Sequence, residues 1–295
     1  MLPAEVMRQI RRLQLRARRV VQTLLGGEYQ SIFKGSGLSF EEVREYQPGD
    51  EVRSIDWNVT ARMGTPFIKR FVEERELTVF LLVDISGSQQ FGSQQEFKRK
   101  VATELAALVA FSAIANHDRV GLIAVSDRVE RFVPPGKGTK HALRMLRDIL
   151  FFSPQHPGTS LREGLDYLNQ VQSRRAIVFF ISDFLDTGFE ASFRLAAQKH
   201  DLIAVRISDS LEETWPDLGM VQVEDAETGK QLLIDTRSRE FREAFQSRRG
   251  EQKEEFRKLT RSHQVDLIDV GTDGEHLQAL VRFFQLRERR RRRGK

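Results

Sequence analysis

The stretch Leu77-Thr78-Val79-Phe80-Leu81-Leu82-Val83-Asp84-Ile85-Ser86-Gly87-Ser88 decides how this chain folds. An apolar, β-prone run ends abruptly at an aspartate, and two hydroxyls follow at alternate positions. Continuous apolar strands belong to parallel sheets covered on both faces. Such a strand delivers Asp84 to its carboxyl end, and the turn beyond presents Ser86 and Ser88 toward the same point. That edge is where open α/β sheets bind ligands. One carboxylate with two hydroxyls is an all-oxygen set, suited to a hard cation such as magnesium. A D-x-S-x-S pattern arises by chance roughly 0.1 times in a chain of this length. Its place at a strand end therefore carries more weight than its spacing.

Two features further along can complete the set. Ile177-Val178-Phe179-Phe180-Ile181 is a second fully apolar strand and runs into Ser182-Asp183-Phe184-Leu185-Asp186, placing another carboxylate at the same kind of edge. Between them, His156-Pro157-Gly158-Thr159-Ser160 precedes a helix beginning at Leu161. Gly158 allows a close approach and Thr159 offers a hydroxyl. The candidate metal ligands are thus Asp84, Ser86, Ser88, Thr159 and Asp183. The competing reading makes the two aspartates helix N-caps and the serines partners within a turn.

From Leu77 onward strands and helices alternate. Strand Leu77–Asp84 leads to helix Gln95–Asn116, strand Arg119–Ser126 and a hairpin arm Arg128–Val133. Helix Lys140–Phe152, a short helix Ser160–Gln170 and strand Ala176–Asp183 follow, then helix Phe189–His200 and strand Leu202–Ile207. A hairpin around Glu227-Thr228-Gly229-Lys230, a charged helix over about 237–263, strand Val265–Val270 and helix Gly274–Glu288 complete the pattern. This predicts an α/β fold, Rossmann-like and doubly wound, with a mainly parallel sheet. Residues 26–76 precede it, with turn signals at Lys34–Gly37 and Gln47–Asp50 and the aromatics Phe33, Phe40, Tyr46, Trp57, Phe67 and Phe71. They read as a small appended subdomain of short strands and turns. Residues 1–25 read as a basic amphipathic helix with Val6, Ile10, Leu13, Ala17, Val20, Val21 and Leu24 on one stripe. The stripe packs on the body or meets a membrane surface or partner. Residues 287–295 read as an Arg-rich, solvated tail.

The 295 residues are 40% apolar with 21 Phe, ample for a core, and hold no cysteine, which excludes disulfides and thiolate metal sites. The longest apolar run, Leu105–Phe111, is far short of the roughly 20 residues of a spanning helix. The first residues lack the apolar core of a signal peptide. The expectation is a cytoplasmic chain, with the basic first helix permitting a peripheral place at a membrane. Of the formal net charge of +5, residues 287–295 hold +6 and residues 1–25 hold +5, so 26–286 stands at −6. An acidic body argues against a nucleic-acid reader, although the basic ends leave DNA binding as a reading to test.

The motifs resemble a known site. Asp84-Ile85-Ser86-Gly87-Ser88, Gly158-Thr159 and Ile181-Ser182-Asp183 look like the metal-ion-dependent adhesion site of a von Willebrand factor type A domain, over about 77–286. Tyr46-Gln47-Pro48-Gly49-Asp50, Arg53-Ser54-Ile55-Asp56-Trp57, Ala61-Arg62 and the run to Glu73 resemble the bacterial domain of unknown function 58 family, and Asp225–Gly229 also fits its pattern. The resemblance implies that Ser86 and Ser88 bind an ion (Mg2+ or Mn2+) directly and Thr159 directly or through water. Asp84 and Asp183 would act through water, and a partner's carboxylate would fill the remaining position. It further implies a partnership with an AAA+ ATPase called MoxR in maturation or assembly of other proteins. Gln89 and Ser160 depart from the family, which often has Met and Asp there.

Other signals are weaker. Pro134–Lys140 fails the spacing of a phosphate-binding loop, and the six histidines show no paired spacing for zinc. Arg53, Asp56 and Trp57 either buttress the subdomain or face a partner. The resulting expectation is a non-enzymatic, magnesium-dependent protein-binding module. The rival is a magnesium phosphohydrolase with Asp84 as nucleophile, although the second Asp such enzymes need two residues on is Ser86 here.

Overall fold

The computed structural model describes residues 4–24, 39–72, 76–90, 97–154, 158–224 and 229–293. The expected features at Gly26-Gly27, Phe33, Lys34–Gly37, His156 and Asp225–Thr228 lie outside them.

Six strands form the central sheet: β3 (Thr78–Asp84), β4 (Arg119–Val125), β5 (Val129–Gly136), β6 (Ile177–Ser182), β7 (Asp201–Ser208) and β10 (Asp266–Gly271). Their order is β10-β7-β6-β3-β4-β5, parallel except for β5, which runs antiparallel to β4. The chain starts at the centre, winds outward through β4 and β5, then returns to lay β6, β7 and β10 on the other side. The winding reverses between β3 and β6, which opens a crevice at their carboxyl ends.

Side chains alternate across this sheet because successive strand residues point to opposite faces. Val79, Leu81 and Val83 pack into one layer with α3 (Lys98–Ala115), α4 (Thr139–Phe151) and α9 (His276–Arg293). Phe80 and Leu82 pack into the other with α5 (Leu161–Val171), α6 (Glu190–Lys199) and α8 (Arg239–Ser262). Helix α3 is buried at every position from Val101 to Ala113, because it is covered on its outer side by α1 (Ala4–Leu24). The packing alternative for α1 is the one realised: Ile10, Leu13, Ala17 and Val21 are buried, and Arg16 bonds Glu104 of α3 at 2.8 Å. His276 holds the same carboxylate from α9 at 2.9 Å.

The appended segment holds the antiparallel pair β1 (Ser39–Glu45) and β2 (Phe67–Val72), a 3-10 turn Val52–Ser54, and a helix the sequence reading did not foresee, α2 (Trp57–Met63). Asp56 caps that helix, accepting from the Asn58 and Val59 amides, while Trp57 is exposed. Asp56 therefore buttresses the subdomain locally. The expected hairpin is present as β8 (Met220–Glu224) and β9 (Gln231–Asp235). The short α7 (Ser210–Glu213) was not foreseen.

One boundary changes meaning. Helix α9 continues past the expected stop at Glu288 to Arg293, so most of the presumed Arg tail is helix. Arg287 bonds Asp201 at 2.7 Å and Arg290 bonds Asp266 at 3.3 Å, which anchors the run on the acidic starts of β7 and β10. Those carboxylate partners lie far away in sequence, so the local charge run gave no sign of them.

Gly121 is a point of close approach. It pairs across the ladder with Phe80, and a Cβ there would lie 2.8 Å from the Phe80 ring. Phe80 is buried and cannot swing away. Gly121→Ala should therefore destabilise the fold by about 1–3 kcal/mol through overpacking, read as a lower denaturation midpoint with an unchanged denaturant slope.

Candidate metal centre

The crevice between β3 and β6 is where the charged residues meet. Strand register pairs Val83 with Ile181, so Asp84 ends β3 opposite Ser182, and Asp183 follows one residue beyond the end of β6. Both are buried, as are Ser86 and Gln89, while Ser88 is half-buried. Asp84 Oδ1 accepts the Ser86 amide at 2.9 Å, which folds the turn beyond β3 back over the strand end. Its Oδ2 accepts from the Ser182 hydroxyl at 2.8 Å and from Gln89 Nε2 at 3.3 Å. The Ser86 and Ser88 hydroxyls lie 3.1 Å apart, and Ser88 donates to Asp183 Oδ2 at 3.0 Å. Gln89 Nε2 reaches that same Asp183 oxygen at 3.3 Å, so one amide spans both carboxylates.

Four of the five expected residues thus share one hydrogen-bonded cluster. Thr159, half-buried, stands on the neighbouring loop into α5, which is fixed to the end of β4 by a 2.7 Å bond from the Ser160 amide to the Ser126 carbonyl. The competing reading is realised in part as well: Asp84 Oδ1 accepts the Ser86 amide at 2.9 Å, Asp183 Oδ1 accepts the Leu185 amide at 3.3 Å and the two serine hydroxyls pair within their turn, whereas the start of α5 is capped by Asp186, which accepts the Leu161 amide at 2.8 Å.

Sequence reasoning missed the counter-charge. Lys98, the first residue of α3, is completely buried, with Nζ 2.7 Å from Asp183 Oδ2 and 2.5 Å from Glu212 Oε1. Glu212 belongs to α7, whose N-cap Asp209 forms a reciprocal box with it and also accepts the Thr272 hydroxyl from beyond β10 at 2.6 Å. A signal for Lys98 existed. Helix α3 opens with Lys98-Arg99-Lys100 and no acid in its first turn, the wrong sign for a helix N-terminus. Ser182 and Glu212 carried no comparable signal, and Gln89 stood out only as a departure from the family.

The electrostatics follow from the crowding. Burial, and then the neighbouring Asp183 carboxylate, push the Asp84 pKa up to about 6. Burial also opposes ionisation of Asp183, but the Lys98 ammonium outweighs it and holds that carboxyl below its usual range. Burial works against the Lys98 charge as well, and Asp183 with Glu212 more than offsets it. For Glu212 the balance falls the other way and its pKa is raised, chiefly by burial. Lys98 is therefore primarily the counter-ion of Asp183.

This donor set fits a hard cation. Two carboxylates and two hydroxyls converge in a dry place, and Asp84 is ionised at a cost that positive charge would relieve. Gln89 Oε1 is buried without a hydrogen-bond partner among the described residues, leaving an oxygen that a hydrated ion's water can satisfy. Among the described residues no three of His, Cys, Asp and Glu are grouped to hold a metal, so any ion here depends on the serine hydroxyls. Beside the cluster lies a crevice of about 200 Å3, lined in part by Asp183, Phe184, Arg206, Glu212, Lys253 and Phe256.

The raised Asp84 pKa has a signed consequence. The folded state holds this proton more tightly than an unfolded chain, so the group's contribution to stability falls as pH rises from about 4 to about 6. In chelator, the melting-temperature advantage of Asp84→Asn over the parent should be larger at pH 7.5 than at pH 4.5. An advantage that does not grow with pH would contradict this electrostatic picture.

Comparison with known proteins places the chain. Residues 42–255 match the family model described as protein of unknown function DUF58. An uncharacterized protein of Mycobacterium tuberculosis, Rv1480, is 31% identical over 286 residues, covering 95% of this chain and 89% of that one. The uncharacterized protein YeaD of Bacillus subtilis is 30% identical over 107 residues, 36% of this chain and 25% of its own length. Among solved structures, the conserved hypothetical protein BatB of Bacteroides thetaiotaomicron is similar at 16% identity and a TM-score of 0.46, over 72% of this chain and 99% of that one. Proximal thread matrix protein 1 of the mussel byssus, solved with a zinc-occupied MIDAS motif, is similar at 15% identity and a TM-score of 0.33, over 46% of this chain and 39% of its own. The match over most of its length makes this chain a member of the DUF58 family.

Proposed function

We propose that this protein is a magnesium-dependent protein-binding module. The observation that carries the reading is the convergence of Asp84, Ser86, Ser88 and Asp183 at the point where the sheet's winding reverses. Ser86 and Ser88 would hold the ion directly, with Thr159 from the adjacent loop, while Asp84 and Asp183 would act through water. A bound Mg2+ or Mn2+ supplies an electron-poor coordination position. Neutral hydroxyls leave most of its charge in place, so a carboxylate from another protein is the ligand it takes best.

The resemblance to type A domains supports this reading, and the segment before the sheet supports a MoxR-type AAA+ ATPase, with its client, as partner. The pair would work in chaperone-like maturation or assembly of other proteins. No helix among the described residues is long and apolar enough to cross a membrane, in keeping with the proposed cytoplasmic setting. A non-enzymatic role is favoured because both Asp84 oxygens accept hydrogen bonds and the residue is 1% exposed, a poor state for a nucleophile.

Asp84→Ala and Ser86→Ala should each abolish magnesium-dependent pull-down of a MoxR-type ATPase, as should EDTA. Retention of the same complex in EDTA would sink the proposal.

A further inference from the structure

The proposed metal centre contains a cation of its own. Lys98 is as buried as any core residue, yet it is polar, charged and placed at the end of a helix that repels positive charge. Burying an ammonium this completely is tolerated only with well-placed partners. Its partners are Asp183 and, on the far side, Glu212 from α7. The Asp183 oxygen it touches is the one that accepts from Ser88 and Gln89. Lys98 therefore enters the cluster through Asp183, while Asp84 is held by Ser86, Ser182 and Gln89.

Counting charge shows what this does. Asp84, Asp183 and Glu212 against Lys98 give the cluster a formal charge of −2. A divalent ion would bring it to neutrality. Without the ammonium the same ion would sit in a cluster left at −1, bound more tightly but less attractive to a further carboxylate. At separations of a few ångströms in a protein interior, one unit of charge changes ion affinity by at least about tenfold.

Resting on the reading of this site as a metal centre, we propose that Lys98 is its resident counter-cation. It weakens the hold on a divalent ion and keeps the bound ion able to recruit an outside carboxylate. Lys98 is a positioning residue for charge: it bonds Asp183 and would not touch the ion itself. Glu212 tunes it from behind, since removing that carboxylate gives Lys98 wholly to Asp183.

The test measures two affinities that move in opposite directions. Calorimetric titration gives Mg2+ binding to the full chain and its variants. Loss of water-proton relaxivity on adding acetate to the Mn2+-loaded protein gives affinity for a carboxylate. Lys98→Met should bind Mg2+ at least about tenfold more tightly and acetate several-fold more weakly. Glu212→Gln should shift both the other way, and the double variant, which keeps the parent's formal charge, should return Mg2+ affinity close to the parent value. A Lys98 with only a structural role would lower both affinities or neither. If Lys98→Met does not fold, the Glu212→Gln variant decides, because unchanged or tighter Mg2+ binding there contradicts the assignment. Parent protein that binds Mg2+ while Lys98→Met binds it no better overturns the role of Lys98 alone. Absence of Mg2+ and Mn2+ binding in every variant overturns the metal reading with it. Binding that emerges only when Lys98 is removed supports the resident cation in its strongest form.

Discussion

Two carboxylates set side by side away from water are the constraint from which the rest of this structure follows. Asp84 and Asp183 sit at adjacent strand ends, 1% and 5% exposed. Like charges in such a place repel and lose their hydration. The surrounding groups answer that problem one by one: the Ser86 and Leu185 amides, the Ser182 and Ser88 hydroxyls, the Gln89 amide and the Lys98 ammonium together present hydrogen to all four oxygens. Compensation is uneven. Asp183 receives a full countercharge, whereas Asp84 receives only dipoles, and its pKa of about 6 records the difference.

The scaffold makes that proximity unavoidable. Parallel strands buried on both faces hold register through packing, because a slip by one residue would exchange the two helix layers' side chains. Phe80 and Leu82 lock β3 to one layer, Val79 and Leu81 to the other. The aromatic cluster of Phe180, Phe184, Phe189, Phe193 and Phe256 fills the space directly beneath the loop that carries Asp183. Phe184 stacks on Phe256 with ring centres 4.1 Å apart, so α8 is pressed against that loop and walls the adjoining crevice. Rigid packing on this side holds Asp183 in place for Lys98.

The appendages are built differently. In the segment before the sheet Val52, Trp57 and Met63 are exposed, and the β8–β9 hairpin shows Met220, Leu232 and Leu233 to solvent. Among the described residues neither appendage contributes to the hydrogen-bonded cluster at the sheet edge. At the far end, the basic stretches are taken up by the body: Arg16 by Glu104, Arg287 by Asp201, Arg290 by Asp266. The charge asymmetry that looked like two free basic ends is in part a set of long-range pairs with an acidic core domain.

What the sequence determined by itself was the alternation of elements and the identity of the oxygen donors, because apolar strands that stop at an Asp, and hydroxyls two apart, are local patterns. Asp84, Ser86, Ser88 and Asp183 were legible for that reason. The tertiary structure alone decided which groups neutralise them. Lys98 and Glu212 are 114 residues apart and meet only because α3 begins, and α7 lies, at the same edge of the sheet. The continuation of α9 through the Arg run was equally hidden, since its carboxylate partners come from the starts of β7 and β10. Charge pairing across a fold leaves no periodicity in the chain, and burial, which turns such pairs into strong determinants of ion affinity, exists only once the layers have closed.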